Sequence, residues 1–478
     1  MKTKLIIDIS ASSLQVIISQ LLGIVIFLVT SKYLDKSVYG ELNWSLAIFA
    51  FITTILGMRL DQVVVHKVAA REDASQILSL FVAHVVFAGL SFYFILVASN
   101  LIFPSFYNKH QLLLTLSISQ LFNFFSTPFK QVANGKERFG YLAAMSSVSN
   151  LIRSIWLLAI VVFSTLTIQW VLIIFIISAL AELLYCMYVT AYHIRVPLIL
   201  KGRFRDYQLF LKDSLPQIGA AFLNAGIARM DWIILGLMAS QAIIAEYSFA
   251  YKVFELSPLP MLIVAPVLLS RFARYFRDHS EESLLEKKAE ISLLIRMEMI
   301  LATFLPMMLI LIWTPLIDSL TNNKYGAVNQ ITFLLLSLCI PFQYMINLIW
   351  TIHFTQKRLV LIFKVTTVTC LLILVGDVLL IHWFQARGAA IAYLIAIIVE
   401  YVLFLRSSQL SRLHVSWSSL ITCIVIAFIS GFTARYFLES TILQLITACL
   451  IYAVLALLSK QVRQKDFILA QKYLSNSP

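Results

Sequence analysis

The chain has 478 residues, 60% of them hydrophobic and 13% charged, with a mean hydropathy of +0.88. A soluble domain carries roughly 25% charged residues, so this is a polytopic membrane protein; at about 20 residues per crossing it holds about fourteen spans and no sizeable soluble domain. The net charge of +13 is scattered over short intervals between apolar runs, which argues against nucleic acid as a partner and for the bilayer as the reason for the charge.

Lys2 and Lys4 precede an apolar run that continues to Val29 and includes Asp8, Gln15 and Gln20. With no small-residue cleavage site, this run reads as an uncleaved first span, near Ser10 to Thr30. Apolar runs then predict spans near Asn43 to Val65, Ile77 to Phe103, Leu112 to Phe129, Tyr141 to Phe163 and Gln169 to Tyr192. After the basic interval His193 to Lys212, spans follow near Ser214 to Met238, Ala245 to Leu269, Leu293 to Ile317, Asn329 to Phe354, Leu359 to Trp383 and Ala389 to Leu405. Two more, Trp417 to Phe437 and Thr441 to Leu458, precede a basic tail. The mixed-charge interval Arg271 to Ile291 suits an amphipathic connecting helix. Cys186, Cys339, Cys370, Cys423 and Cys449 are odd in number and widely spaced in apolar runs, so they indicate neither a disulfide framework nor a metal site.

The basic residues test this layout. With the N-terminus in the cytoplasm, and with Arg296, Lys364 and Arg435 near predicted span ends counted with the adjoining intervals, 27 of the 37 Lys and Arg residues fall in cytoplasmic intervals, six in outer ones and four within spans. That asymmetry places both termini in the cytoplasm. The predicted organisation is an N-terminal six-helix lobe (1–192), a basic cytoplasmic linker (193–212), a second six-helix lobe (213–406), and two extra helices with a basic tail (407–478). Two local echoes connect the lobes. Gly40-Glu41 after the first span parallels Ala245-Glu246 after the seventh, and Gly135-Lys136-Glu137-Arg138-Phe139 parallels Thr355-Gln356-Lys357-Arg358-Leu359. Six spans per lobe bring both into the membrane in the same direction, so a pseudo-two-fold axis along the membrane normal is expected.

Several stretches resemble one family in the right order. They are Tyr39-Gly40; Asn134-Gly135-Lys136-Glu137-Arg138-Phe139; Arg229-Met230-Asp231-Trp232-Ile233-Ile234-Leu235-Gly236; Glu246-Tyr247; Ala250-Tyr251-Lys252; and Gly388-Ala389-Ala390-Ile391-Ala392. Over about 350 residues the chain resembles the polysaccharide transporters of the multidrug/oligosaccharidyl-lipid/polysaccharide exporter superfamily, the group of the O-antigen flippases. The resemblance implies an all-α fold of two six-helix lobes around a central cavity, two extra C-terminal helices and alternating access. It also implies a non-enzymatic flippase for undecaprenyl-pyrophosphate-linked oligosaccharide in a bacterial inner membrane, with glycan polymerase machinery as a candidate partner besides the membrane lipids. The oligomeric state and the glycan stay open.

A lipid-linked pyrophosphate must cross without meeting hydrocarbon, and Arg or Lys in a cavity lowers that cost. Four basic residues stand well within predicted spans: Arg59, Arg153, Arg229 and Lys252. They are the candidate substrate-binding residues, with Asp61, Asp231 and Glu255 as counter-charges. The alternative is structural pairing. Lys252 and Glu255 are spaced to meet on one helix face, Arg229 and Asp231 are not, and Arg59 near a helix end could snorkel to headgroups. Glu182, Asp377 and Glu400 could each serve a coupling Na+ or H+ or simply pair, so no coupling residue is assigned. No nucleotide-binding loop, metal spacing or catalytic constellation is present, and no cofactor is expected. Two other functions compete: a cation-coupled multidrug exporter of the same fold, whose cavity should be acidic, and a membrane polysaccharide polymerase or glycosyltransferase, which usually needs a large outer loop or an acid pair.

Overall fold

The computed structural model describes residues 2–199, 204–257, 288–407 and 415–463. All regular structure among them is helical. In chain order the helices are α1 (Lys2–Tyr33), α2 (Lys36–Leu56), α3 (Leu60–Ala69), α4 (Ala74–Ile102), α5 (Pro104–Lys109), α6 (Leu112–Gly135), α7 (Phe139–Phe163) and α8 (Ile168–Tyr188). A π-helical turn (Val189–His193) ends α8, and α9 (Phe204–Met238) and α10 (Gln241–Phe254) follow. Then come α11 (Lys288–Thr321), α12 (Gly326–Thr355), α13 (Leu359–Arg406), α14 (Val415–Phe437) and α15 (Thr441–Leu458). Eleven helices are long and apolar enough to cross a membrane, and Ile18–Tyr33 is a shorter apolar helix. One of the eleven, α13, is two spans joined across a kink at Gln385, where φ is 52° and ψ is −127°. With α13 counted as two spans and Ile18–Tyr33 as one, the described residues hold thirteen of the expected fourteen spans, and the eighth starts in α10. The end of that span, most of the Arg271 to Ile291 connector and the tail beyond 463 lie outside the described residues.

The chain divides into two compact units, residues 1–245 and 246–478. In the first, α1 packs along α7, α6 and α7 along α8, and α2 along α9. The α2–α9 contact explains two glycines of the sequence motifs. A Cβ on Gly40 would lie 1.9 Å from the Gln241 carbonyl oxygen, and one on Gly236 would lie 1.9 Å from Trp44 Nε1. Trp44 Nε1 in turn donates to the Ile233 carbonyl at 3.3 Å. Membrane helices gain little from apolar burial against one another, so small residues that let backbones approach carry such contacts. Beside this contact the Glu41 carboxylate accepts from the Leu112 N–H at 3.0 Å. It thereby satisfies a free donor at the start of α6 and complements the helix dipole.

In the second unit, α11 packs on α12, α14 and α15, and α12 packs on α13. Asp318 accepts from the Gly326 and Ala327 N–H groups at 2.7 and 3.1 Å, capping α12, and Asn329 Nδ2 donates to the Glu246 carbonyl at 3.0 Å. Glu246 thus sits at the start of α12 as Glu41 sits at the start of α6, within separate units. The second sequence echo is also structural. After α6 the N–H groups of Lys136, Glu137 and Arg138 bond to the carbonyls of Val132, Asn134 and Ala133; after α12 those of Gln356, Lys357 and Arg358 bond to Ile352, Phe354 and His353. Glu137 and Lys357 both adopt left-handed φ, 56° and 59°. Non-glycine residues accept that conformation at about 1 to 2 kcal/mol, and here the closed helix C-terminus offsets the cost.

The sequence predicts a single second span, Asn43 to Val65, and the structure breaks it. Thr53 and Thr54 bond back to the Phe49 and Ala50 carbonyls at 2.7 Å, an arrangement that bends helices. Met58 and Arg59 then take left-handed φ of 47° and 57° before α3 begins. Three basic residues counted as cytoplasmic, Lys130, Arg296 and Lys364, stand on helices α6, α11 and α13. Arg296 is only 3% exposed and donates to the Gln461 carbonyl and to Ser292 Oγ.

His110, between α5 and α6, is buried against Trp44 and Phe106, with ring centroids 4.3 and 4.7 Å away. Burial, with Lys109 adding to it, holds its pKa below the usual histidine value. A neutral histidine in the fold and a more basic one in the unfolded chain make stability complete above the ordinary pKa of about 6.5 and reduced as pH falls through and below it. Thermal unfolding in detergent should show a lower midpoint at pH 5.5 than at 7.5, and His110→Gln should flatten that difference.

Candidate functional site

The break between α2 and α3 opens a polar cavity of 330 Å³ in the first unit, lined by Thr53, Thr54, Arg59 and Asp61. The same residues Asp61 and Gln131 also line a larger cavity of 1350 Å³ that reaches Lys67, Glu72, Lys212 and Asp213. Arg59 sits on the break itself. Its Nε is buried without a hydrogen-bond partner, and among the described residues its side chain makes no ion pair, not even with Asp61.

The opposite wall is one face of α6. Gln120, Asn123, Thr127, Gln131 and Asn134 line the cavities, and their spacing of three or four residues keeps them on one side of a helix. All five are half-buried, while Pro128, Phe129 and Val132 are buried and line neither cavity. A Cβ on Gly135 would lie 2.8 Å from Val68 Cβ, so this glycine lets α3 close against α6 and brings Asn134 to the cavity.

Lys67 Nζ bridges α3 to the start of α9, 3.0 Å from Asp213 and 3.4 Å from Glu72. Burial lowers the Lys67 pKa, but the hydrogen bond and charge of Asp213, aided by Glu72, outweigh it and leave the pKa raised.

The other expected site residues are placed differently. Arg153 on α7 faces α8: its Nε donates to Ser178 Oγ at 2.8 Å and its guanidinium lies 4.4 Å from the Phe175 ring. Glu182, one turn further on α8, pairs with Lys130 of α6 and accepts from Ser126 Oγ. These contacts tie α6, α7 and α8 together. Arg229 on α9 lies 5.3 Å from the Trp232 ring and donates to the Ala228 carbonyl. Asp231 is fully buried and accepts from the Trp232 N–H at 2.8 Å. In the second unit Lys252 and Glu255 form the one-face pair that their spacing allows, at 2.8 Å. Of the seven expected residues, Arg59 and Asp61 line one cavity among the described residues.

The sequence reading missed the polar face of α6. The signal was there as periodicity, with amides recurring at helical spacing through an apolar span, and a search confined to charged residues passes over it.

Eleven long apolar helices, and a polar cavity beside the break between α2 and α3, define a multi-pass membrane protein. Solved structures with this fold include the lipid II flippase MurJ in an inward closed conformation, with a TM-score of 0.73, 15% identity, and coverage of 93% of this chain and 97% of that one. An inward-facing multidrug resistance MATE family transporter of the MOP superfamily matches with a TM-score of 0.63 and 14% identity, over 84% and 95% of the two chains. A MOP superfamily transporter from Pyrococcus furiosus matches with 0.57 and 13%, over 86% and 95%. At these identities the likeness establishes the fold. No curated protein sequence matches the chain significantly. The chain belongs to the polysaccharide biosynthesis protein family, whose model matches residues 5–276.

Proposed function

We propose that the protein is a flippase that moves an undecaprenyl-pyrophosphate-type lipid-linked oligosaccharide across a bacterial inner membrane by alternating access, for surface polysaccharide export. The observation that carries this reading is Arg59, which lines a polar cavity with its Nε buried without a partner and with no ion pair among the described residues. A guanidinium binds phosphate oxygens in a fork, and the polar walls receive a headgroup that hydrocarbon would reject. The family and the MurJ-like fold support the same direction. Arg229 and Lys252 are proposed as further contacts for the phosphate, with Asp231 and Glu255 as counter-charges. Arg153 acts by holding α7 to α8. No catalytic step and no cofactor enter the proposal, and a coupling Na+ or H+ is left without an assigned residue. Both termini face the cytoplasm.

The test is complementation of a flippase-deficient strain. The expected result is restored surface glycan and loss of the lipid-linked repeat units that accumulate on the cytoplasmic face. Unchanged accumulation with normal protein abundance would overturn the proposal. Reporter fusions check the orientation, with cytoplasmic signals expected after Lys201 and Arg277 and an external one after Asn108.

A further inference from the structure

We propose that the polar face of α6 is the glycan-recognition surface, and that it selects saccharides of uncharged, hydroxyl-rich sugars over those that carry uronic acids. This rests on the flippase reading above and names the substrate class of the same site.

Two observations carry it. The first is that the side-chain amides of Gln120, Asn123, Gln131 and Asn134 line the cavities and bond to no described residue. A carboxamide offers two donors and one acceptor oxygen, and vicinal sugar hydroxyls both donate and accept, so a row of amides at helical spacing matches a short run of sugar rings. Half-buried amides need a partner. Water serves in the empty cavity, and hydroxyls replace it when a glycan enters.

The second observation is the charge on the walls. The larger cavity carries three carboxylates, Asp61, Glu72 and Asp213, against two ammonium groups, Lys67 and Lys212. Lys67 is already held by both Glu72 and Asp213. A uronate entering there would surrender water and meet carboxylates with no cation in surplus, and like charges brought together are the means by which a site rejects a competitor. Arg59 lines the smaller cavity together with Gln120, Asn123 and Gln131, where it serves the phosphate and the amides meet the first sugars. The carboxylates Glu72 and Asp213 line only the larger cavity, where the sugars beyond them lie.

The experiment uses two flippase-deficient hosts that assemble repeat units on the same undecaprenyl pyrophosphate, one of neutral hexoses and one containing a uronic acid. The full-length protein should export the neutral unit at least tenfold better than the uronate unit. Asn123→Leu and Gln131→Leu should each lower export of the neutral unit about tenfold at unchanged abundance, and Asn123→Gln should retain most of it. Asp61→Asn combined with Gln131→Lys should narrow the gap between the two units. Equal export of both units, or normal export by both leucine variants, overturns the glycan assignment and leaves the flippase reading standing. Export of neither unit overturns the flippase reading, and the inference falls with it.

Discussion

Arg59→Glu is expected to abolish surface glycan export, a loss of at least a hundredfold, while protein abundance stays near normal. Glutamate accepts the left-handed backbone at position 59 at a cost similar to that of arginine, and Arg59 makes no ion pair among the described residues whose loss would unfold the helix break. What changes is the cavity, where a new carboxylate beside Asp61 would face the substrate phosphate. A factor of a hundred corresponds to about 2.7 kcal/mol, within reach of one charge reversal in a partly desolvated site. Arg59→Lys keeps the charge and loses the planar fork, so about a tenfold loss marks bidentate contact, and near-normal export marks simple attraction. Arg229→Glu and Lys252→Glu are also expected to stop export. Lys252→Glu additionally sets two carboxylates three residues apart, since Lys252 now pairs with Glu255. Normal export by Arg59→Glu would leave the arginine as a headgroup anchor and remove its role in the cavity.

Gly40→Val and Gly236→Val are expected to lower protein abundance at least tenfold. Each places a side chain where no side chain fits: the added Cβ alone falls 1.9 Å from the Gln241 carbonyl oxygen in one case and 1.9 Å from Trp44 Nε1 in the other. Relief requires α2 and α9 to move apart, which also breaks the Trp44–Ile233 hydrogen bond. Overpacking of this kind costs ~3 kcal/mol or more, a large share of a marginal stability. Gly23 and Gly140 have nothing within 4 Å of an added Cβ, so alanine at either should be neutral. Blots of membrane fractions and thermal unfolding in detergent provide the comparison. Full abundance of both valine variants would mean that α2 and α9 do not pack through these glycines.

The span pattern and the helical class were legible in the sequence because a bilayer imposes them locally, and the family was legible in the order of its short motifs. Each crossing needs its own apolar run and its own internally satisfied backbone, whatever its neighbours are. The two C-terminal turns after α6 and α12 were legible for the same reason, since a helix cap is written in a few adjacent residues. Lys252 and Glu255 could be paired from spacing alone because both lie on one helix. Arg59 and Arg153, by contrast, look alike in the sequence, each an arginine within an apolar run. Their difference is tertiary: Ser178 and Phe175 from α8 meet Arg153, while at Arg59 the chain breaks and leaves a cavity. The amide face of α6 was visible as periodicity, but only the approach of α3, made possible at Gly135, shows that it faces a cavity. Partnering inside a membrane depends on which helices adjoin and at what distance, and that is set by packing between segments far apart in the chain.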